Sequence, residues 1–210
     1  MLEAFSEGIK SVLSSEEAFE IHWINLYELT YKGCYECFLC RKKDSPWYGH
    51  CGYPDEIREL LDKIAHADGI VISTPIYFHN VPGELRSFLE RLMYPFISYP
   101  EGGRQCLAPK KIPVALIYTM NVTEDEMREK KYRDYLWSIE NWIRYVFGDE
   151  QEILYAFNTY QYSDYSKYEA GAWDLKKKTL WRDTQFPADL NMAKAAGVRM
   201  GIRSAMGEEK

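Results

Sequence analysis

Cys34, Cys37 and Cys40 stand at two-residue gaps in one short run, and Cys51 follows after ten intervening residues. Thiolates so spaced can hold successive corners of one iron–sulfur cluster of the [4Fe-4S] type, with Cys51 as the fourth ligand. Two other chemistries suit the same residue types. Clustered free thiols can act as a redox pair, and zinc can take the thiolates with His50 joining them, although zinc sites usually pair two separated Cys-x-x-Cys units. The chain has five cysteines, an odd number, with Cys106 standing alone. A secreted disulfide framework would be even and dispersed, so the run points to metal or redox chemistry.

A second stretch has a different character. Thr74-Pro75-Ile76-Tyr77-Phe78-His79-Asn80-Val81-Pro82-Gly83 directly follows an apolar run. Pro75 fixes a turn, Tyr77 and Phe78 offer flat apolar surface, and Thr74 and Asn80 offer hydrogen bonds. That set suits a planar heteroaromatic ligand with a polar edge. It equally suits an ordinary crossover whose aromatic residues cap a core.

The surrounding pattern gives the elements that must position these residues. Leu2, Phe5, Ile9, Val12 and Leu13 share one face at helical spacing. Phe19 to Leu26 alternates as a strand, and the cysteine loop spans 31–54. Asp55 can cap a helix carrying Ile57, Leu60, Leu61 and Ile64. Asp68 to Thr74 is too apolar to be half exposed, as expected of a buried parallel strand. Pro82 suits the first turn of a helix with Leu85, Phe88, Leu89 and Leu92 on one face.

Lys111 to Thr119 is the next buried strand. Thr123 and Glu126 form a capping-box pair opening a helix that runs to Phe147 and ends at Gly148. Glu152 to Phe157 is a further strand; 155–185 is an aromatic, polar extension without clear period; and Pro187 opens a last helix over 187–204. Strands separated by helices make an α/β domain, a doubly wound parallel sheet with helices on both faces, over 1–210. Ligands of such sheets bind beyond the carboxyl ends of strands, so the loops after Thr74 and Thr119 are where chemistry is expected.

With 46% hydrophobic and 28% charged residues the chain is globular in composition. Its net charge of −6 argues against nucleic acid as a partner. No apolar run approaches a membrane span, and the first residues lack the basic-then-apolar order of a secretory signal, so a soluble cytoplasmic protein is expected. Asp174 to Arg203 holds seven basic and three acidic residues, which fits a basic terminal helix or a site for an anionic cosubstrate.

Gly33-Cys34-Tyr35-Glu36-Cys37-Phe38-Leu39-Cys40, Ala67-Asp68-Gly69-Ile70-Val71, Thr74-Pro75-Ile76-Tyr77-Phe78 with Gly83, and the Phe88-Leu89-Glu90-Arg91 helix together resemble the flavodoxin-like NAD(P)H-dependent FMN reductases. Within them the chain is most similar to the branch that includes the iron–sulfur flavoproteins, chiefly over 1–120. The resemblance implies FMN, with Thr74, Pro75, Ile76, Tyr77, Phe78, Asn80 and Gly83 lining one side of the flavin ring and Tyr118, Thr119, Met120 and Asn121 the other. It implies NAD(P)H as cosubstrate, a small-molecule or protein electron acceptor, and a homodimer or homotetramer. It also implies a cluster on Cys34, Cys37, Cys40 and Cys51, although the last gap in iron–sulfur flavoproteins is shorter than the ten residues here.

One departure stands out. Such relatives begin with a strand and a Gly-Ser-x-x-x-x-Gly-Asn-Thr type loop that holds the FMN phosphate at a helix N-terminus. Met1-Leu2-Glu3-Ala4-Phe5 matches the middle of that helix, so the first strand and its loop are expected to lie upstream of an internal or misassigned start. Three functions therefore remain: an NAD(P)H-linked FMN oxidoreductase, an electron-transferring iron–sulfur flavoprotein, and a non-catalytic thiol or metal sensor or degenerate domain. His22 and His66 are expected to be structural or surface residues, and His79 to lie beside the flavin loop. Tyr160, Tyr162, Tyr165 and Tyr168 fit a surface extension or a lid over a partner's flavin.

Overall fold

Val114–Thr119 is apolar at nearly every position, and the fold covers both of its faces. The computed structural model describes residues 1–13, 19–148 and 150–206. Its elements in chain order are α1 (Leu2–Val12), α2 (Arg58–Ala65), β1 (Ile70–Pro75), α3 (Gly83–Met93), β2 (Ile97–Ser98), β3 (Gln105–Cys106), β4 (Val114–Thr119), α4 (Glu124–Glu129), α5 (Tyr132–Phe147), β5 (Gln151–Ala156) and α6 (Leu175–Met206). Strands β1, β4 and β5 form a parallel sheet in that order, with β4 in the middle.

Alternate side chains of β4 go to opposite layers, as the period of two requires. Val114, Leu116 and Tyr118 join the core built with α2, α3 and α5, while Ala115 and Ile117 join Phe5 of α1 and Ala193, Ala196 and Met200 of α6. Helices on both faces thus match the expected architecture. Between α1 and α6 the approach is closer than side chains permit. A Cβ on Gly197 would lie 2.0 Å from the Phe5 carbonyl oxygen, and one on Gly8 would lie 2.0 Å from that of Lys194. The two glycines let backbone meet backbone, and the bidentate pair from Arg199 to Glu152, at 2.6 and 2.9 Å, fastens α6 to β5.

Several sequence expectations are corrected. Phe19 to Leu26 forms no strand; it is irregular chain with Trp23 and Ile24 exposed, leading into a short 3-10 turn at Leu26–Glu28 capped by Asn25. A strand exists only through a neighbour, and among the described residues β1 pairs with β4 alone, leaving its other edge open with Ser73 exposed. Asp55 does not cap α2, whose N-cap is Ile57; its carboxylate pairs with Arg91 instead. The helix expected from Thr123 to Phe147 keeps its capping box and its stop at Gly148 but breaks at Lys131, which is left-handed at φ 54°.

Pro187 does not open the last helix. It lies inside α6, which begins at Leu175, with the Asp174 carboxylate accepting from the Lys177 backbone N–H. An interior proline removes one helical hydrogen bond, a cost of about 3 kcal/mol that the packed glycine face downstream must outweigh. The hairpin of β2 and β3 has no counterpart in the sequence reading.

Gly197→Ala is expected to cost about 3 kcal/mol, because its methyl meets backbone that cannot swing away; a urea unfolding curve reads this as a lowered midpoint. The hydrogen bonds from Arg199 hold the Glu152 carboxyl below its ordinary value of 4.5. The stability this supplies is full above that value and is lost as pH falls through the lower folded one. Arg199→Met should therefore be less stable than the parent at pH 7, with the gap closing at acid pH below the folded value.

Candidate functional site

In-register parallel pairing brings the carboxyl ends of three strands level: Pro75 opposite Thr119, and Thr119 opposite Ala156. After β1, Ile76 donates its backbone N–H to Thr119 O at 3.0 Å, and Tyr77 and Asn80 exchange two backbone bonds at 2.8 and 3.0 Å. The two residues inside that turn, Phe78 and His79, are both left-handed, with φ of 50° and 68°. Each such residue without a glycine's freedom costs about 1 kcal/mol. The turn presents Phe78 fully to solvent, with Tyr77 exposed beside it. His79 stacks on Tyr132 with ring centroids 4.3 Å apart, and Asn80 Oδ1 accepts from the Val81 N–H at 2.8 Å. Thr74 is buried with its hydroxyl donating to Pro75 O, and Gly83 begins α3 with open space where a Cβ would be.

The loop after β4 splits in two. Tyr118 and Met120 are buried among core residues, so they offer a ligand only their backbone. Burial pushes the Tyr118 phenol above its ordinary range, and the neighbouring Glu140 adds to this. Asn121 is different: its Oδ1 is buried and accepts no hydrogen bond. A buried acceptor without a donor costs about 1–3 kcal/mol, so the position is set for a donor from outside.

A third loop, after β5, closes the group; the sequence marks it only as the start of the aromatic extension over 155–185. Lys178 of α6 is 3% exposed, and its ammonium donates to Asn121 O at 3.1 Å, Asn158 Oδ1 at 2.8 Å and Thr159 O at 3.1 Å. Three donors meet three acceptors. Burial lowers the Lys178 pKa from its ordinary value. Left-handed Asn158 and the Thr159 bonds to Met120 O complete the tie between the two loops.

The cysteine loop lies along α3. Tyr31 donates to Glu84 O at 2.8 Å near its start, and Arg41 packs over Tyr94 at 4.0 Å. Cys34 and Cys37 are exposed, Cys51 is half-buried, and Cys40 is buried; all are free thiols. Burial pushes the Cys40 thiol up, the charge of Arg41 opposes this, and Cys51, Cys34 and Cys37 add to it. Glu36 and Phe38, between the cysteines, are left-handed at φ 53° and 55°. Among the described residues no three Cys, His, Asp or Glu side chains converge as one metal ion requires. His50 Nδ1 lies 3.2 Å from Asp62 Oδ1.

Two buried groups organise this site. Lys178 sat in a run legible only as basic surface, and its one sequence signal is Asp174 as a helix cap. Arg91 belongs to a recognised motif, but its partners are far away in sequence.

The family model for NADPH-dependent FMN reductase matches residues 3–122. An iron–sulfur flavoprotein of Methanocaldococcus jannaschii is 31% identical over 77 residues, 37% of each chain. One of Archaeoglobus fulgidus is 37% identical over 91 residues, 43% of this chain and 40% of that protein. The matched stretch thus spans about two fifths of the length of these relatives. An FMN-dependent NADH-azoreductase of Bacillus anthracis, solved with FMN, has the same fold at a TM-score of 0.63 and 14% identity, over 95% of this chain and 89% of that one.

Lys178→Met should leave three partly buried oxygens without their donor and cost about 3 kcal/mol. Chemical unfolding reads the loss, and limited proteolysis should find new cleavage at 157–162 in the variant only.

Proposed function

The chain belongs to the NADPH-dependent FMN reductase family, and on that footing we propose that it is an FMN-dependent oxidoreductase taking electrons from NAD(P)H for a small-molecule or protein acceptor. The observation that carries this reading is the loop pair at the carboxyl ends of β1 and β4. Tyr77 and Phe78 are uncovered apolar rings, and Asn121 Oδ1 is a buried acceptor awaiting a donor. A flavin ring has a flat apolar body and a polar edge carrying an N–H, and both halves of that description fit. When bound, the flavin supplies two-electron chemistry with a nicotinamide and with an acceptor.

The protein's own part is orientation. The Tyr77–Asn80 turn holds two strained residues in a fixed presentation, and stacking on Tyr132 keeps His79 from swinging across the opening. Lys178 holds the Asn121 backbone in place and so aims its side chain. Because Tyr118 and Met120 are core residues, the site tolerates little movement of β4.

A second reading adds a cluster, favoured by four free thiols, three of them at two-residue gaps. Cys34, Cys37, Cys40 and Cys51 would hold it, four cysteine thiolates being the usual donor set of such a cluster. The donor set fits this on chemistry and number, and the left-handed Glu36 and Phe38 wind the chain tightly between ligands. A cluster, when bound, supplies one-electron relay. Without one, the reading remains that of a plain FMN reductase.

Anaerobic mixing of the FMN-loaded protein with NADH or NADPH should bleach the flavin band near 450 nm on the order of seconds or faster, in keeping with ordinary turnover. Asn121→Ala should weaken FMN binding about tenfold, a loss of ~1.4 kcal/mol, with little change in stability. FMN binding that ignores Asn121, or a flavin that neither nicotinamide reduces, would overturn the proposal.

A further inference from the structure

Lys176, Lys177 and Lys178 follow one another in the first turn of α6. The first two are exposed, while Lys178 is buried. Its ammonium donates to Asn121 O, Asn158 Oδ1 and Thr159 O, three oxygens from the loops after β4 and β5. A neutral amine has two N–H groups and a lone pair, and that lone pair would have to face an oxygen here. Three acceptors therefore select the charged form with its three donors. None of the three partners carries a charge. Glu126 acts on the ammonium from α4, but its carboxylate is committed to the cap of that helix, accepting from the Thr123 N–H at 2.8 Å and the Thr123 hydroxyl at 3.0 Å. The centroid of the Trp173 ring lies 6.0 Å from the ammonium nitrogen, at the reach of a cation–π contact.

A buried cation held by neutral dipoles is solvated but not neutralised. Its field acts through the packed loops, where water screens it far less than at the surface. Asn121 joins that field to the candidate site. The backbone oxygen of this residue takes a bond from Lys178, and its side-chain Oδ1 is the buried acceptor left open for a ligand. Burial also works against the ammonium, so the fold keeps this charge at a cost. An amide side chain could donate to two of these oxygens without that cost. The charge itself is therefore the feature for which tying the loops together gives no reason.

We propose that the Lys178 ammonium makes the site favour reduced over oxidised flavin and so raises the reduction potential of bound FMN. This rests on the flavin reading above. Hydride transfer from a nicotinamide delivers two electrons and one proton to the ring and leaves the nicotinamide oxidised, so the ring gains one negative charge. A fixed cation behind Asn121 stabilises that charge and is nearly indifferent to the neutral oxidised ring. The phosphate of FMN is common to both forms and does not separate them.

The test measures dissociation constants for oxidised FMN and, anaerobically, for dithionite-reduced FMN, on the full chain and on Lys178→Gln and Lys178→Arg. No FMN bound by the parent protein defeats the flavin reading and this inference with it. Lys178→Gln removes the charge and keeps an amide donor. It should weaken binding of reduced FMN about tenfold more than binding of oxidised FMN, equivalent to a potential ~30 mV lower for the two-electron couple. Lys178→Arg changes the donor geometry but keeps the charge, so it should retain the parent's ratio of the two constants even where urea unfolding shows it less stable. Equal losses for both forms in Lys178→Gln, with FMN still bound, overturn the role of the charge while leaving the flavin site standing. A ratio that falls as far in Lys178→Arg traces to lost geometry and overturns it too. Should neither variant fold, the parent protein decides: reduced FMN must bind more tightly than oxidised FMN, and equal or reversed affinities refute the proposal.

Discussion

Parallel strands paired in register have to end at the same edge, and that constraint governs where this protein can do chemistry. Thr74 opposite Tyr118, and Tyr118 opposite Tyr155, bring three strands to one level before the chain leaves the sheet. The three loops that follow cannot avoid one another. Their backbone groups are finished at the sheet edge, and they are linked by Ile76 to Thr119, by Thr159 to Met120 and by the ammonium of Lys178. Buried Tyr118 and Met120 keep the edge rigid, while the Phe78 ring is fully exposed and Asn121 Oδ1 accepts no hydrogen bond. Rigid support with unsatisfied tips is the arrangement a bound planar group needs.

The second determinant is α3. Its first residue, Gly83, ends the aromatic loop, and Arg91 near its end holds the cysteine loop. The eight-residue rise between them corresponds to about 12 Å along the helix axis. Leu85, Phe88, Leu89 and Leu92 bury the same helix in the core, so neither loop can shift without the other. Packing energy thus becomes relative placement of the aromatic loop and the cysteine loop, which is the link from fold to proposed function.

Much of this was legible in sequence because it depends on local period. The three sheet strands, the apolar face of α3, the capping box of Thr123 and Glu126 and the stop at Gly148 all follow from residue type and spacing. The candidate loops followed from the carboxyl-end rule. What failed depended on partners. Phe19 to Leu26 has the alternation of a strand, but pairing is a property of two segments, and the open edge of β1 shows its absence among the described residues. Asp55 reads as a cap until the buried guanidinium of Arg91 claims it. Lys131 adopts a left-handed conformation with no glycine or asparagine to announce it. The first turns of α6 lack an apolar period, so Pro187 looked like a beginning when it is an interruption. Lys178 and Arg91 were hidden for one reason: a buried charge is defined by its acceptors, here up to 59 residues away in sequence.

The central claim is that the loops after β1 and β4 hold the flavin ring. Hydrogen–deuterium exchange with mass spectrometry, run on the chain with and without saturating FMN, tests it most directly. Protection is predicted in peptides covering 75–82 and 119–123, with a smaller effect at 157–160 through Lys178 and little change on the outer face of α5. Protection elsewhere with those loops unchanged would contradict the account.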